Sequence, residues 1–152
     1  MPNTVLLIGY GNPGRLDDGL GPALAFKLEA LSMQGLSVEA DYQLVVEHAH
    51  EIAKYDAVIF ADSTVEGDAP YFFREIHPTP KEAFTSHSFS PETILFFAKT
   101  IFNARAKGYI LGMRGYEFDR FGEYLSDKAK QNLDAAFEFI QDALQSGNLH
   151  AK

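Results

Sequence analysis

The chain has 152 residues, the size of one compact domain, and its 46% apolar composition, with 13 Phe and 7 Tyr, can fill a sizeable core. With no cysteine it excludes disulfides, thiolate metal sites and a cysteine nucleophile, so any metal must be held by carboxylate, imidazole or backbone oxygen. A formal net charge of -8 without a basic stripe argues against a nucleic-acid partner, and no apolar run approaches the ~20 residues of a membrane span. "TVLLIGY" (Thr4 to Tyr10) is a continuous apolar run ending in Gly, as expected of a strand buried on both faces. Leu20, Leu24, Leu28 and Leu31 then form one apolar helical stripe, with Pro22 tolerable in the first turn. "LSVEADYQL" (Leu36 to Leu44) alternates like a strand, and "VEHAHEIAKY" reads as a short helix. "DAVIFADS" (Asp56 to Ser63) is a second strongly buried strand stopping at Asp62, and "PYFFREIH" (Pro70 to His77) has the proline and mixed charges of an edge strand. Ser90 caps and Pro91 opens a helix carrying Ile94, Phe97, Ala98, Ile101 and Phe102. "GYILGMRGYEF" supplies the last strand, and Ser126 caps a long helix with Ala129, Leu133, Phe137, Ile140 and Leu144 on one face.

This βαβαββαβα order predicts a three-layer α/β/α sandwich, its five-stranded sheet mostly parallel with one antiparallel edge strand. A single domain over residues 1–152 is expected, with the tail 146–152 frayed. The start "MPNTVLLIG" lacks the basic segment and cleavage site of a signal peptide, so a cytoplasmic location is expected, and a monomer.

Gly9, Gly11 and Gly14 make a literal G-x-G-x-x-G after the first strand, which raises a dinucleotide site with Asp41 as a ribose-binding acid. Against it, Pro13 removes a backbone donor, and Asp17 and Asp18 put two negative charges where the diphosphate would sit. Working crevices of open α/β sheets lie beyond the carboxyl ends of the strands. Asp18, after the first strand, and Asp62, ending the third, reach that edge, and His87 in "TSHSFSP" lies in the loop before the Ser90 helix. Two carboxylates and an imidazole suit a borderline divalent metal such as nickel or zinc. A proton-sharing aspartate dyad is the alternative for the two acids. His48 and His50 at i, i+2 of a helix face different directions and are expected at the surface.

In its ordered motifs the chain resembles the hydrogenase maturation endopeptidases, which trim the C-terminus of the large subunit of nickel-iron hydrogenases. "LLIGYGNPGRLDDGLGP", "VIFADS", "SHSFSP" and "GYEFDRFGEYLS" are similar to the family's opening glycine-acid motif, acid-ended central strand, H-x-x-S-P segment and closing turn. "DYQLVVEHAHEIAKYDAVIFADS" resembles the branch serving soluble, cofactor-reducing hydrogenases. The resemblance implies an endopeptidase whose partner is the large-subunit precursor, with nickel supplied by that substrate and no tightly bound cofactor of its own. It places nickel recognition on Asp18, Asp62 and His87, with Asp62 the candidate catalytic acid. Asp17 and Arg114, near strand ends at the same edge, are expected to contact substrate. Several relatives carry Glu where Asp18 stands, making this arm one methylene shorter, and "QLVVE" replaces a Gly-rich turn. A non-catalytic metal- or nucleotide-binding α/β module is the alternative.

Overall fold

The computed structural model describes residues 4–80 and 89–149. Its strands are β1 (Val5–Tyr10), β2 (Leu36–Asp41), β3 (Ala57–Thr64), β4 (Tyr71–Ile76) and β5 (Lys107–Arg114). The α-helices are α1 (Leu20–Glu29), α2 (Val46–Ile52), α3 (Pro91–Phe102) and α4 (Asp127–Ser146), and a 3-10 turn over Leu16–Gly19 precedes α1. The strands lie in the order β2-β1-β3-β5-β4. The first three pairings are parallel and β4 runs antiparallel to β5 at the edge, as the sequence predicts.

The period-2 alternation of each central strand explains why its apolar run is continuous. Val5 and Leu7 of β1, Ala57, Ile59 and Ala61 of β3, and Tyr109, Leu111 and Met113 of β5 pack on one face against Leu20, Leu24 and Leu28 of α1 and Leu133, Ala136 and Ile140 of α4. The intervening residues Leu6, Ile8, Val58 and Phe60 pack on the other face with Ile52 of α2 and Ile94, Leu95 and Ala98 of α3. The sheet is therefore the middle of three layers, with α1 and α4 on one side and α2 and α3 on the other.

Both predicted caps form: the Ser90 hydroxyl accepts from the Thr93 amide and the Ser126 hydroxyl from the Ala129 amide, each at 3.2 Å. Other boundaries shift. α1 ends at Glu29, so Leu31 falls past the helix and is exposed. β2 stops at Asp41, and Leu44 turns inward to the α2–α3 core. Leu149 lies in the tail expected to fray, yet it is buried among the α1–α4 core residues. Gly147 explains this: its left-handed φ of 73° ends α4 and lets the Asn148 amide donate back to the Ala143 carbonyl at 2.9 Å.

Leu7 is completely buried on the α1–α4 face of β1. Truncation to Ala leaves a cavity in a layer closed by two helices, and denaturant unfolding should show a loss of about 2 to 5 kcal/mol. A loss below about 1 kcal/mol would show that the site collapses around the smaller side chain.

Candidate functional site

β1 delivers the chain into the glycine loop. Gly9 lies where α1 crosses the sheet, and a Cβ there would collide with the Gly21 carbonyl and Ala25. Gly11 has φ +141°, a conformation open to glycine, and its backbone abuts the Asp18 carbonyl. The loop is then closed by its own hydrogen bonds. The Gly11 amide donates to the Asp41 carbonyl, Asn12 to Asp18 Oδ2 at 2.8 Å, Gly14 to Asn12 Oδ1 at 2.8 Å and Arg15 to the Asn12 carbonyl. Leu16, Asp17 and Asp18 donate in turn to the carbonyls of Gly122, Glu117 and Arg15. Pro13 has no amide hydrogen, so every amide from 11 to 18 is engaged and none is offered to a diphosphate. The glycine pattern packs β1 on α1 and wraps the loop around an acid. Asp41, the acid a ribose would need, bonds His48 instead.

Asp17 and Asp18 are adjacent and have opposite environments. Asp17 is expected at the substrate edge but is fully buried. Its Oδ2 accepts from the Tyr116 and Glu117 amides at 2.8 and 3.0 Å and from the Ser126 hydroxyl at 2.7 Å, and its Oδ1 accepts from the Ser126 amide at 2.8 Å. Burial alone would push this carboxyl up, but the bonds from Ser126, Tyr116 and Glu117 outweigh it and hold the carboxyl below its ordinary value. Asp17 is thus a structural strut, buried away from the edge where the sequence expects it to contact substrate. Asp18 keeps partial exposure and lines an open cleft of about 520 Å³.

The same cleft takes Asp62. Its position follows from the alternation of β3: Val58 and Phe60 face α2 and α3, so Asp62, two residues on, continues that face past the end of the core. Contrary to expectation the strand continues beyond it, pairing with β5 as far as Thr64. The rest of the wall is Tyr10, Gly11, Tyr42, Leu44, Phe89 and Ser90, among others. Burial pushes the Asp62 carboxyl up to about 7; the Ser63 amide, which donates to Oδ1 at 2.8 Å, and the neighbouring Tyr10 hydroxyl hold it down in part, and the nearby Asp18 charge adds to the rise. At neutral pH Asp62 can therefore both take and give a proton. His87, the third expected donor, lies outside the described residues, although Phe89 and Ser90 of the same loop line the cleft.

Arg114 closes β5 but is not among the residues lining the cleft. Its Nη1 donates to the Gly67 carbonyl at 2.9 Å, its Nε to Gly115, and its guanidinium lies 5.0 Å from the Tyr116 ring centroid. His48, expected at the surface, is 3% exposed. Its Nδ1 accepts the Val45 amide at 2.9 Å, capping α2, and its Nε2 lies 3.0 Å from Asp41 Oδ2. Among the described residues Glu39, Asp41 and His48 also bring donor atoms within 4.8 Å of one another. Because Nδ1 accepts a hydrogen bond, Nε2 carries the proton and has no lone pair for a metal. That trio is a helix cap with its acid partner. His50 is exposed, packed edge-on against Phe102.

Two measurements follow from these environments. Asp17→Ala strands three backbone amides and a hydroxyl and should cost about 3 kcal/mol or more in chemical unfolding; a change under about 1 kcal/mol would remove its role as a strut. The folded-state pKa of Asp62, about 7, stands above its ordinary 3.8. The native state thus holds the proton more tightly, and this contribution, fully present below about pH 4, is lost as pH rises through 7. Wild type should lose stability relative to Asp62→Asn between pH 5 and pH 8; a pH-independent difference between the two would contradict the assigned environment.

No family model matches the chain, and no curated protein matches its sequence. Solved structures do match. The [NiFe] hydrogenase maturation protease HycI from Thermococcus kodakarensis KOD1 is 22% identical with a TM-score of 0.74, over 95% of this chain and 94% of that one. The hydrogenase maturating endopeptidase HybD from E. coli is 20% identical with a TM-score of 0.71, over 97% and 96%. The hydrogenase 2 maturation peptidase from Thaumarchaeota archaeon SCGC_AB-539-E09 is 23% identical with a TM-score of 0.69, over 93% and 98%. Over nearly its whole length the chain therefore has the fold of the hydrogenase maturation proteases.

Proposed function

We propose that this protein is an endopeptidase that removes the C-terminal extension of a nickel-loaded hydrogenase large-subunit precursor. The observation that carries the reading is the convergence of Asp18 and Asp62 in one open cleft at the carboxyl edge of a sheet whose fold is that of the maturation proteases. The metal belongs to the substrate. A chain without cysteine has no thiolate to offer, whereas Asp18 and Asp62, with His87 as the third donor, would supply O,O,N ligands suited to open positions on a nickel already held by the precursor. Neither partner alone then makes a complete site, so nickel loading becomes the signal for cleavage.

Asp62 is the acid we assign to the chemistry. As a carboxylate it takes a proton from the water that attacks the scissile carbonyl and returns it to the departing amine. Asp18, whose carboxylate accepts the Asn12 amide at 2.8 Å, lines the same cleft. No described helix is long and apolar enough to cross a membrane, and we assign the reaction to a cytoplasmic monomer.

Incubation with nickel-loaded precursor should produce a mass loss equal to the C-terminal extension, and nickel-free precursor should stay intact. Asp62→Asn and His87→Ala should each abolish trimming in a protein that still unfolds cooperatively, with Asp62→Asn no less stable than wild type at pH 7 and above. Near-normal trimming by either variant would refute its role, and binding of precursor without mass loss would favour a non-catalytic metal-binding module.

A further inference from the structure

β2 forms one margin of the sheet and pairs with β1 alone. Two bonds at its ends show which of its backbone groups are free. The Val5 amide donates to the Gly35 carbonyl at 2.9 Å and the Gly11 amide to the Asp41 carbonyl at 3.0 Å. Successive residues of a strand direct their amide and carbonyl to opposite sides, so the odd-numbered residues from 35 to 41 serve β1. The amides and carbonyls of Val38 and Ala40 therefore point outward, and none has a partner among the described residues. Such a row is a template for another strand, and proteins commonly blunt it with proline or a cation. The opposite edge does so: β4 follows Pro70 and carries Arg74. β2, "LSVEAD", has neither.

The open margin leads to the acids. Directly after β2, Tyr42, Gln43 and Leu44 form a wall of the cleft that holds Asp18 and Asp62. Two hollows flank the strand on its α1 side, one of about 380 Å³ at Leu36, Ser37 and Val38 and one of about 170 Å³ at Ala40, Asp41 and Tyr42. The second shares Gly11 and Tyr42 with the cleft, so the path is continuous. On the α2 side the strand presents acids. Burial and the charges of Glu51 and Asp41 push the Glu39 carboxyl up, against His48 and Lys54.

We propose that β2 receives the C-terminal segment of the precursor as an added strand, with apolar side chains towards α1 and basic ones towards Glu39 and Asp41, and so feeds the scissile bond into the cleft. A chain must be extended to present a peptide bond to an acid, and strand addition holds it so through main-chain bonds while alternate side chains give selectivity. The identity of this occupant rests on the endopeptidase reading above.

The test uses the full chain and two readouts. Amide exchange is followed by NMR, free and with a synthetic peptide of the precursor's C-terminal segment at millimolar concentration. The amides of Val38 and Ala40 should exchange fast in the free protein and about tenfold slower with peptide, while those of Ser37, Glu39 and Asp41 stay slow in both. Ala40→Pro removes one outward amide and leaves the β1 bonds in place, as an edge position allows. It should lower kcat/KM for nickel-loaded precursor about tenfold, through KM rather than kcat. Unchanged exchange at Val38 and Ala40 on adding peptide would overturn the proposal, as would near-normal trimming by Ala40→Pro. Protection of those two amides that grows with protein concentration and without peptide would assign the edge to a second copy of this chain and overturn it equally. Peptide-dependent protection in a protein that trims no precursor would leave strand addition standing and refute the endopeptidase reading instead.

Discussion

The buried carboxylate of Asp17 is the interaction on which the geometry of the cleft depends. A bare carboxylate in a protein interior costs several kcal/mol, and this one is tolerated because four donors surround it. Those donors come from the segment leaving β5 and from the N-cap of α4, about a hundred residues away along the chain. Ser126 serves twice: its hydroxyl donates to Asp17 while accepting the Ala129 amide that opens α4. The same strand exit is laced to the glycine loop by Leu16 and Gly122, whose amides donate to the Gly122 and Gly14 carbonyls. Asp18 inherits its position from this junction. It follows Asp17 by one residue on a 3-10 turn held from behind, and the Asn12 amide fixes its carboxylate from the front.

Elements whose signal is local were legible in the residues alone. The unbroken apolar runs of β1 and β3 identified strands covered on both faces, and Ser90 and Ser126 marked two helix starts through hydroxyls that need only the next three residues to act. Asp18 and Asp62 were legible as residues at one sheet edge, because a parallel sheet sends all its strand ends there. Features that depend on distant donors were not. Nothing within "LDDG" distinguishes the aspartate that will be buried from the one that will face the cleft, since the donors that decide it lie at Tyr116, Glu117 and Ser126. His48 was misread for a related reason: the i, i+2 spacing separates it from His50 correctly, but its own burial follows from capping α2 and reaching back to Asp41. The literal glycine fingerprint is the opposite failure. The pattern was present, yet its meaning lay in where the loop amides point, and they point inward.

Three aspartates in this site show how environment rather than residue type assigns a role. Asp17 has four donors and is held ionised, so its charge belongs to the fold. Asp18 accepts from one amide and keeps partial exposure in the cleft, which leaves the rest of its carboxyl group open to a ligand. Asp62 lies where the apolar face of β3 runs out, and burial outweighs the Ser63 amide bond and the neighbouring Tyr10 hydroxyl, which favour its charged form. Near neutral pH this carboxyl is therefore about evenly divided between its two forms, and its surroundings oppose the charged one. Local arrangements that work against stability while every neighbouring element is well packed are where a functional demand is expected. Among the described residues no buried side-chain polar atom lacks a hydrogen-bond partner, so the strain on Asp62 is not part of a loosely made structure. It is confined to the single carboxyl that shares the cleft with Asp18. Its raised pKa is the property that a proton-transferring acid needs and that a simple strand terminus does not.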